Sequence, residues 1–186
     1  MSKIFVQDNF FPKDIYNIII QEMLSVEYVP PPVETRQAFE GSCYWNLHRL
    51  QVNCELNKKT KDLIKHHFYF KKKLNHITSC YTMVGAADKP KPHSDMGMGA
   101  QYQLLIYMHG EESTNNGTGF YEEKENNEYQ LNTHIGFKCN RAIFFSSEIF
   151  HSPLQWMGGG SFRYSICNFF TTEDENLSAK QKRQAY

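Results

Sequence analysis

The sequence predicts a mainly β protein with flanking helices, its core a double-sheet jelly roll, or double-stranded β-helix. Three observations carry that reading. Strand patterns separated by turn signals follow one another between residues 77 and 170, two helical periodicities precede them, and 14 Phe with 11 Tyr in 186 residues suit a β-rich core.

Residues 1–186 are enough to bury a full core as one domain, with a helical N-terminal part from about 10 to 75, a jelly-roll core from about 77 to 170 and a polar tail over 171–186. Twenty Lys and Arg against twenty Asp and Glu leave no net field to draw a polyanion, so neither a nucleic acid nor a membrane surface is an expected partner. No basic-then-apolar leader and no membrane span is read, because the apolar run at 15–20 is broken by Tyr16 and Asn17. Cys43, Cys54, Cys80, Cys139 and Cys167 are odd in number and lack a C-x-x-C pair, which reads as reduced thiols in a cytoplasmic protein.

Pro12 fits a helix's first turn, where its missing N–H costs nothing, and Ile15, Ile18, Ile19 and Met23 then recur at helical spacing; a helix is predicted over about 12–24. Pro30, Pro31 and Pro32 end it. Residues 33–50 place Phe39, Tyr44, Trp45 and Leu47 without a clean period, and read either as a lid bordering the substrate entrance or as an irregular strand with Trp45 capping the core. Asn57 as N-cap opens a second helix to about Leu74, with Leu63, Ile64, His67 and Phe68 on its apolar face and Lys58, Lys59, Lys61, Lys65 and Lys72 solvated.

From Ile77 the period becomes two. Residues 78–84 form a strand, 85–88 a turn, and Lys89, Pro90, Lys91 and Pro92 an extended run that delivers His93 and Asp95 at a strand end. In the strand 101–108, Gln101, Gln103, Leu105 and Tyr107 share the face suited to a partly polar cavity. Residues 115–119 carry turn chemistry, Phe120 and Tyr121 a short strand, 122–128 a solvated hairpin tip and 129–131 its return. Cys139, Asn140 and Arg141 turn into a strand over 142–145, Gly158 to Gly160 turn again, and 161–170 is a long apolar-rich strand.

The chemistry sits in two clusters. In His93-Ser94-Asp95 an imidazole and a carboxylate two residues apart point to one face, a two-ligand claw for a first-row divalent metal that a second histidine would complete. Alone, H-x-D is ordinarily a surface loop, and this composition yields roughly 0.26 chance matches. Downstream, however, His151 is followed by Arg163-Tyr164-Ser165, and both patterns together arise by chance roughly 0.02 times. Arg163 and Ser165 share a face, and Arg is a permanently charged fork matched to a carboxylate. His48, His66, His67, His76, His109 and His134 lack a partner at ligand spacing and read as surface or hydrogen-bonded groups.

With these residues in view, the chain resembles the iron(II)- and 2-oxoglutarate-dependent dioxygenases, in particular their prolyl-hydroxylase-like branch. DNFFPKDIYNIII is similar to that family's opening helix, CYTMVGAADKPKPHSD to its first metal strand, QLLIYM to the next cofactor strand, RAIFFSSEIFHSPL to the distal histidine strand and SFRYSICNFF to the cofactor-anchoring strand. The resemblance implies Fe(2+) held by His93, Asp95 and His151. It implies 2-oxoglutarate paired through its distal carboxylate with Arg163 and hydrogen-bonded by Ser165 and Tyr107, with Tyr81 beside it. Dioxygen would be the other cosubstrate and ascorbate an accessory reductant. The implied reaction hydroxylates an unactivated C–H of a peptidyl, prolyl or small-molecule substrate and releases succinate and carbon dioxide. Asp95 favours hydroxylation, since family members that halogenate carry a small residue there. Two other readings stand beside it, a cupin-like zinc or manganese isomerase or hydrolase and a non-catalytic metal-binding jelly-roll module; metal content and succinate formation separate the three.

Overall fold

In the chain's large sheet, successive side chains pass alternately to a helix-covered face and to an inner face, and this sorting of apolar residues determines the architecture. The computed structural model describes residues 4–30, 45–68, 73–85, 92–125, 128–154 and 162–172, with Trp45 and Met98 by their backbone alone. In order these are β1 (Phe5–Gln7), α1 (Lys13–Ser25), β2 (Trp45–Leu50), α2 (Glu55–His67), β3 (Leu74–Val84), a 3-10 turn (Met96–Met98), β4 (Tyr102–His109), β5 (Ser113–Glu123), β6 (Tyr129–Phe137), β7 (Arg141–Ser146), β8 (Phe150–Pro153) and β9 (Arg163–Thr172). A six-stranded sheet runs β1-β7-β4-β9-β3-β2 and a three-stranded sheet β6-β5-β8. Every pairing within them is antiparallel.

On the helix side, Leu104, Ile106 and Met108 of β4 and Ile166 and Phe170 of β9 pack with Ile19, Met23, Ile64 and Phe68. On the other side, Tyr107, Ile143 and Phe145 meet Phe120, Ile135 and Phe137 of the small sheet. The two-residue period of β4 thus serves two cores at once.

Helix α1 runs as expected, except that Ile18 is exposed while Ile19 and Met23 are buried. Helix α2 departs from the sequence reading at both ends. Its cap position is Cys54, and Asn57 lies buried inside the helix, where its Nδ2 donates to the Gln51 carbonyl at 2.9 Å and to Ser79 Oγ at 2.7 Å. The helix stops at His67 because Phe68 turns extended and stacks its ring between Phe10 and Phe144. Leu74 already belongs to β3.

Two further expectations change. Residues 115–119, read as a turn, lie inside β5, where the register against β6 shifts between Ser113 and Gly117; tertiary pairing overrides the turn preference of Asn and Gly. Trp45–Leu50 is an edge strand paired along β3. The rest of the expected lid, residues 33–44, is outside the described residues, as are residues 86–88 of the turn expected at 85–88, the turn at 158–160 and the tail from 173. Among the described residues no helix is long and apolar enough to cross a membrane.

Strand β1 is fastened by polar contacts. The Asp8 carboxylate accepts from Arg141 Nε at 2.6 Å and Nη2 at 3.1 Å and from Lys138 Nζ at 2.8 Å, and Arg141 above all holds its pKa down to about 2. Asn140, at φ 60°, takes the Phe11 N–H on Oδ1 at 2.9 Å and gives Nδ2 to the Phe11 carbonyl at 2.8 Å. This clips the two buried rings Phe10 and Phe11 to the sheet. Asn140→Ala strands both Phe11 groups and strains the left-handed backbone, so it should cost about 2–4 kcal/mol and lower the melting temperature by about 5–15 °C. Asn140→Gly, which relieves the strain, should lose less in the same thermal melt.

Candidate functional site

His93 and His151 form an isolated antiparallel bridge in which each N–H donates to the other's carbonyl, at 3.0 and 2.9 Å. The bridge lengthens the small sheet by one residue and sets the two rings 4.5 Å apart, centroid to centroid. Asp95 leaves the bridge just before the 3-10 turn, and its N–H is tied to the Ser147 carbonyl at 2.9 Å. His93 Nε2 lies 3.8 Å from Asp95 Oδ1 and His151 Nε2 lies 3.4 Å from Asp95 Oδ2. One ligand atom from each residue falls within 4.8 Å of the others, and among the described residues this is the one such group suited to a metal ion.

His151 is buried between Phe145, 5.0 Å away edge to face, and Phe120. Its Nδ1 lies 3.0 Å from the Ile149 carbonyl, which can only accept, so Nδ1 carries a proton and Nε2, on the Asp95 side, is the ring nitrogen available to a metal. Burial pushes the Asp95 carboxyl up, but the hydrogen bond and field of His151, with His93, outweigh it and hold it below its ordinary value. Two imidazole nitrogens and an ionised carboxylate on one face fit a divalent first-row metal with open positions opposite.

The second half of the site stands on β9 and β4. Arg163 pairs across β3 with Val84, and Ser165 pairs with both Thr82 and Tyr107, so these side chains share the inner face while Tyr164 packs toward the helices. Arg163 is 4% exposed; its Nη1 donates to Asn116 Oδ1 at 2.6 Å and to the Gly117 carbonyl at 2.8 Å. The backbone closes tightly around it: a Cβ on Gly110 would lie 3.1 Å from Arg163 Cβ, and one on Gly117, at φ +143°, would lie 2.0 Å from the Ile135 carbonyl oxygen. The Tyr107 hydroxyl lies 2.7 Å from Thr118 Oγ1 and 3.2 Å from the Ile135 carbonyl. Burial raises its pKa to about 12 against the pull of Arg163. The two halves adjoin through Phe145, whose ring lies 5.0 Å from that of His151 and in the same inner cluster as Tyr107.

No protein-family model matches the chain, and no curated protein matches it. Solved structures do. A prolyl hydroxylase from Trichoplax adhaerens, in complex with a hypoxia inducible factor oxygen degradation domain peptide, superposes with a TM-score of 0.68 at 12% identity over 98% of this chain and 87% of that one. An oxidoreductase of the 2OG-Fe(II) oxygenase family from Burkholderia pseudomallei gives 0.59 at 10% over 91% and 84%. HygX from Streptomyces hygroscopicus, with nickel, 2-oxoglutarate and hygromycin B bound, gives 0.65 at 9% over 93% and 84%. This chain has the 2OG-Fe(II) oxygenase fold.

On that oxygenase fold, six of the seven residues expected at the site, His93, Asp95, His151, Tyr107, Arg163 and Ser165, stand on the inner side. Tyr81 does not. It pairs with Ile166, lies fully buried in the helix-side core, and burial raises its hydroxyl above the ordinary tyrosine range. Thr82, one residue on, takes the inner position opposite Ser165 and donates to its carbonyl at 3.2 Å. Asn116 and Thr118 were missed because an Asn-Asn-Gly run signals a turn, and the strand around it, STNNGTGFYEE, carries no alternation that could have revealed them. Of the other histidines, His48 bonds the Glu27 carbonyl, and His76 packs on Phe170 with its pKa lowered by burial to about 4. Tyr81→Phe should therefore leave metal and 2-oxoglutarate affinity within about twofold of the parent in calorimetric titration; a tenfold loss would put Tyr81 back at the site.

Proposed function

We propose that this chain is an iron(II)- and 2-oxoglutarate-dependent dioxygenase, carried by one domain, that hydroxylates an unactivated C–H with release of succinate and carbon dioxide. The observation that supports it best is the pairing, inside one oxygenase fold, of the His93–Asp95–His151 donor set with a buried Arg163 on the neighbouring inner face. His93, Asp95 and His151 would hold iron(II) from one side. Arg163 would pair with the distal carboxylate of 2-oxoglutarate, because a buried guanidinium gains most from a carboxylate that matches its fork. Ser165 opposite Tyr107 would hydrogen-bond the same end; the Tyr107 hydroxyl, already engaged by Thr118 and Ile135, exchanges one partner to do so. When bound, iron(II), 2-oxoglutarate and dioxygen supply the oxidising chemistry, with the cosubstrate decarboxylated as the C–H becomes an alcohol. Phe145 and Phe120 keep water from the His151 ring.

For the primary substrate, the similar structures hold a peptide in one case and hygromycin B in another, and this reading takes a peptidyl, prolyl or small-molecule acceptor as its class. We place the protein in the cytoplasm on its odd set of five cysteines. The test is succinate formation from 2-oxoglutarate with Fe(II) and dioxygen. His151→Ala should lose metal affinity and turnover together. Unchanged succinate production in that variant would remove His151 from the metal set, while zinc- or manganese-dependent chemistry without succinate would favour the cupin-like reading. Arg163→Ala should keep the metal yet lose about 2–5 kcal/mol of 2-oxoglutarate binding, a rise in Kd of roughly 30- to 4,000-fold by calorimetry.

A further inference from the structure

We propose that the side-chain amide of Asn116 is a second hydrogen-bond donor to the distal carboxylate of the cosubstrate, beside Arg163; the inference rests on the reading of this site as a 2-oxoglutarate site. Asn116 is 1% exposed. A guanidinium can only donate, so the Asn116 amide must turn its oxygen to Arg163 Nη1, as it does at 2.6 Å. The nitrogen on the same planar group is thereby committed away from Arg163, and among the described residues Nδ2 has no hydrogen-bond partner although it is buried. Buried amide donors are nearly always paired, so an orphan of this kind marks a place where an acceptor belongs.

The surrounding backbone shows that the placement is built. The strand register shifts between Ser113 and Gly117, and Gly117 fits only without a Cβ, since that atom would meet the Ile135 carbonyl oxygen at 2.0 Å. The same Gly117 offers its own carbonyl to Arg163 Nη1 at 2.8 Å. Asn116 and Arg163 therefore present a neutral donor next to a cation. That pair suits a carboxylate, whose two oxygens accept from both at once, better than a neutral acceptor, which would answer one of them. In a five-carbon 2-oxo diacid, the carboxylate available for this is the one remote from the keto group.

The experiment is a side-chain amide NMR titration of the ¹⁵N-labelled full chain loaded with Zn(II), using 2-oxoglutarate and, as the same chain length without the distal carboxylate, 2-oxopentanoate. The Asn116 Nδ2 signals, assigned through their own Cβ and backbone correlations, should move downfield with 2-oxoglutarate and stay in place with 2-oxopentanoate. In calorimetry, Asn116→Asp, which keeps an oxygen on Arg163 but removes the donor, should weaken 2-oxoglutarate by about tenfold to a hundredfold and 2-oxopentanoate by less than about twofold. Signals from Asn116 that stay still while other residues saturate with 2-oxoglutarate would overturn the proposal and leave Asn116 a prop for Arg163. Equal shifts with both acids would overturn it too. Failure of the parent protein to bind either acid would overturn the 2-oxoglutarate reading along with it. The parent spectrum decides even where Asn116→Asp does not fold.

Discussion

Two reciprocal backbone hydrogen bonds between His93 and His151 are what the candidate site depends on. Ligands far apart in the chain come together only if the fold meets the entropy of closing the loop between them, and here it does so with main-chain groups rather than with the ligands' own side chains. His151 belongs to β8, which is paired to β5 over four residues, and Asp95 is tied by its own N–H to Ser147 at the end of β7. The imidazoles and the carboxylate consequently start from positions fixed by both sheets, which leaves their ring nitrogens and oxygens to serve a metal.

The second constraint is a cation in an apolar interior. Burying a guanidinium is costly unless its donors are answered, and on Nη1 they are answered by neutral oxygens, from Asn116 and Gly117. Neutral acceptors such as these satisfy hydrogen bonds without cancelling charge, and Asp95 stands on the same inner side. The register shift in β5 is the structural price of this arrangement, since it is the irregularity that brings Asn116 and the Gly117 carbonyl inward.

Much of this was legible in the sequence because it follows from spacing of two. The strand parity of Arg163 and Ser165, the two faces of β4 and the His93–Asp95 pair all rest on local alternation, and the structure keeps them. Tyr81, expected at the site only from the family resemblance, shows where likeness of sequence without register fails. A tyrosine in a strand declares a face but not which one, and the bulge in β3 between His76 and Thr78 shows that parity within that strand is itself interrupted. Only the register with β9 decides that Thr82 faces Ser165 and Tyr81 faces Ile166. Helix α2 likewise ended early for a reason that no local signal carried, the stacking of Phe68 against rings from β7 and from the chain ahead of α1.

Three asparagines bury their amides in a way the sequence reading did not give, Asn140 while keeping its expected turn, and their differences separate scaffold from site. Asn57, Asn116 and Asn140 each favour turns or caps by propensity, yet each is used as a buried planar group with one donor end and one acceptor end. Asn140 has both ends answered by Phe11, so it is complete as a clip. Asn57 Nδ2 donates to Gln51, Val52 and Ser79 and only its oxygen is left unanswered among the described residues; a buried carbonyl without a partner is a commoner defect than a buried N–H without one. Asn116 is the reverse case: its oxygen is taken by a cation and its N–H groups are left over. A leftover donor beside a buried guanidinium cannot be relieved by any neighbouring cation, and packing alone gives no reason to keep it; an incoming anion does.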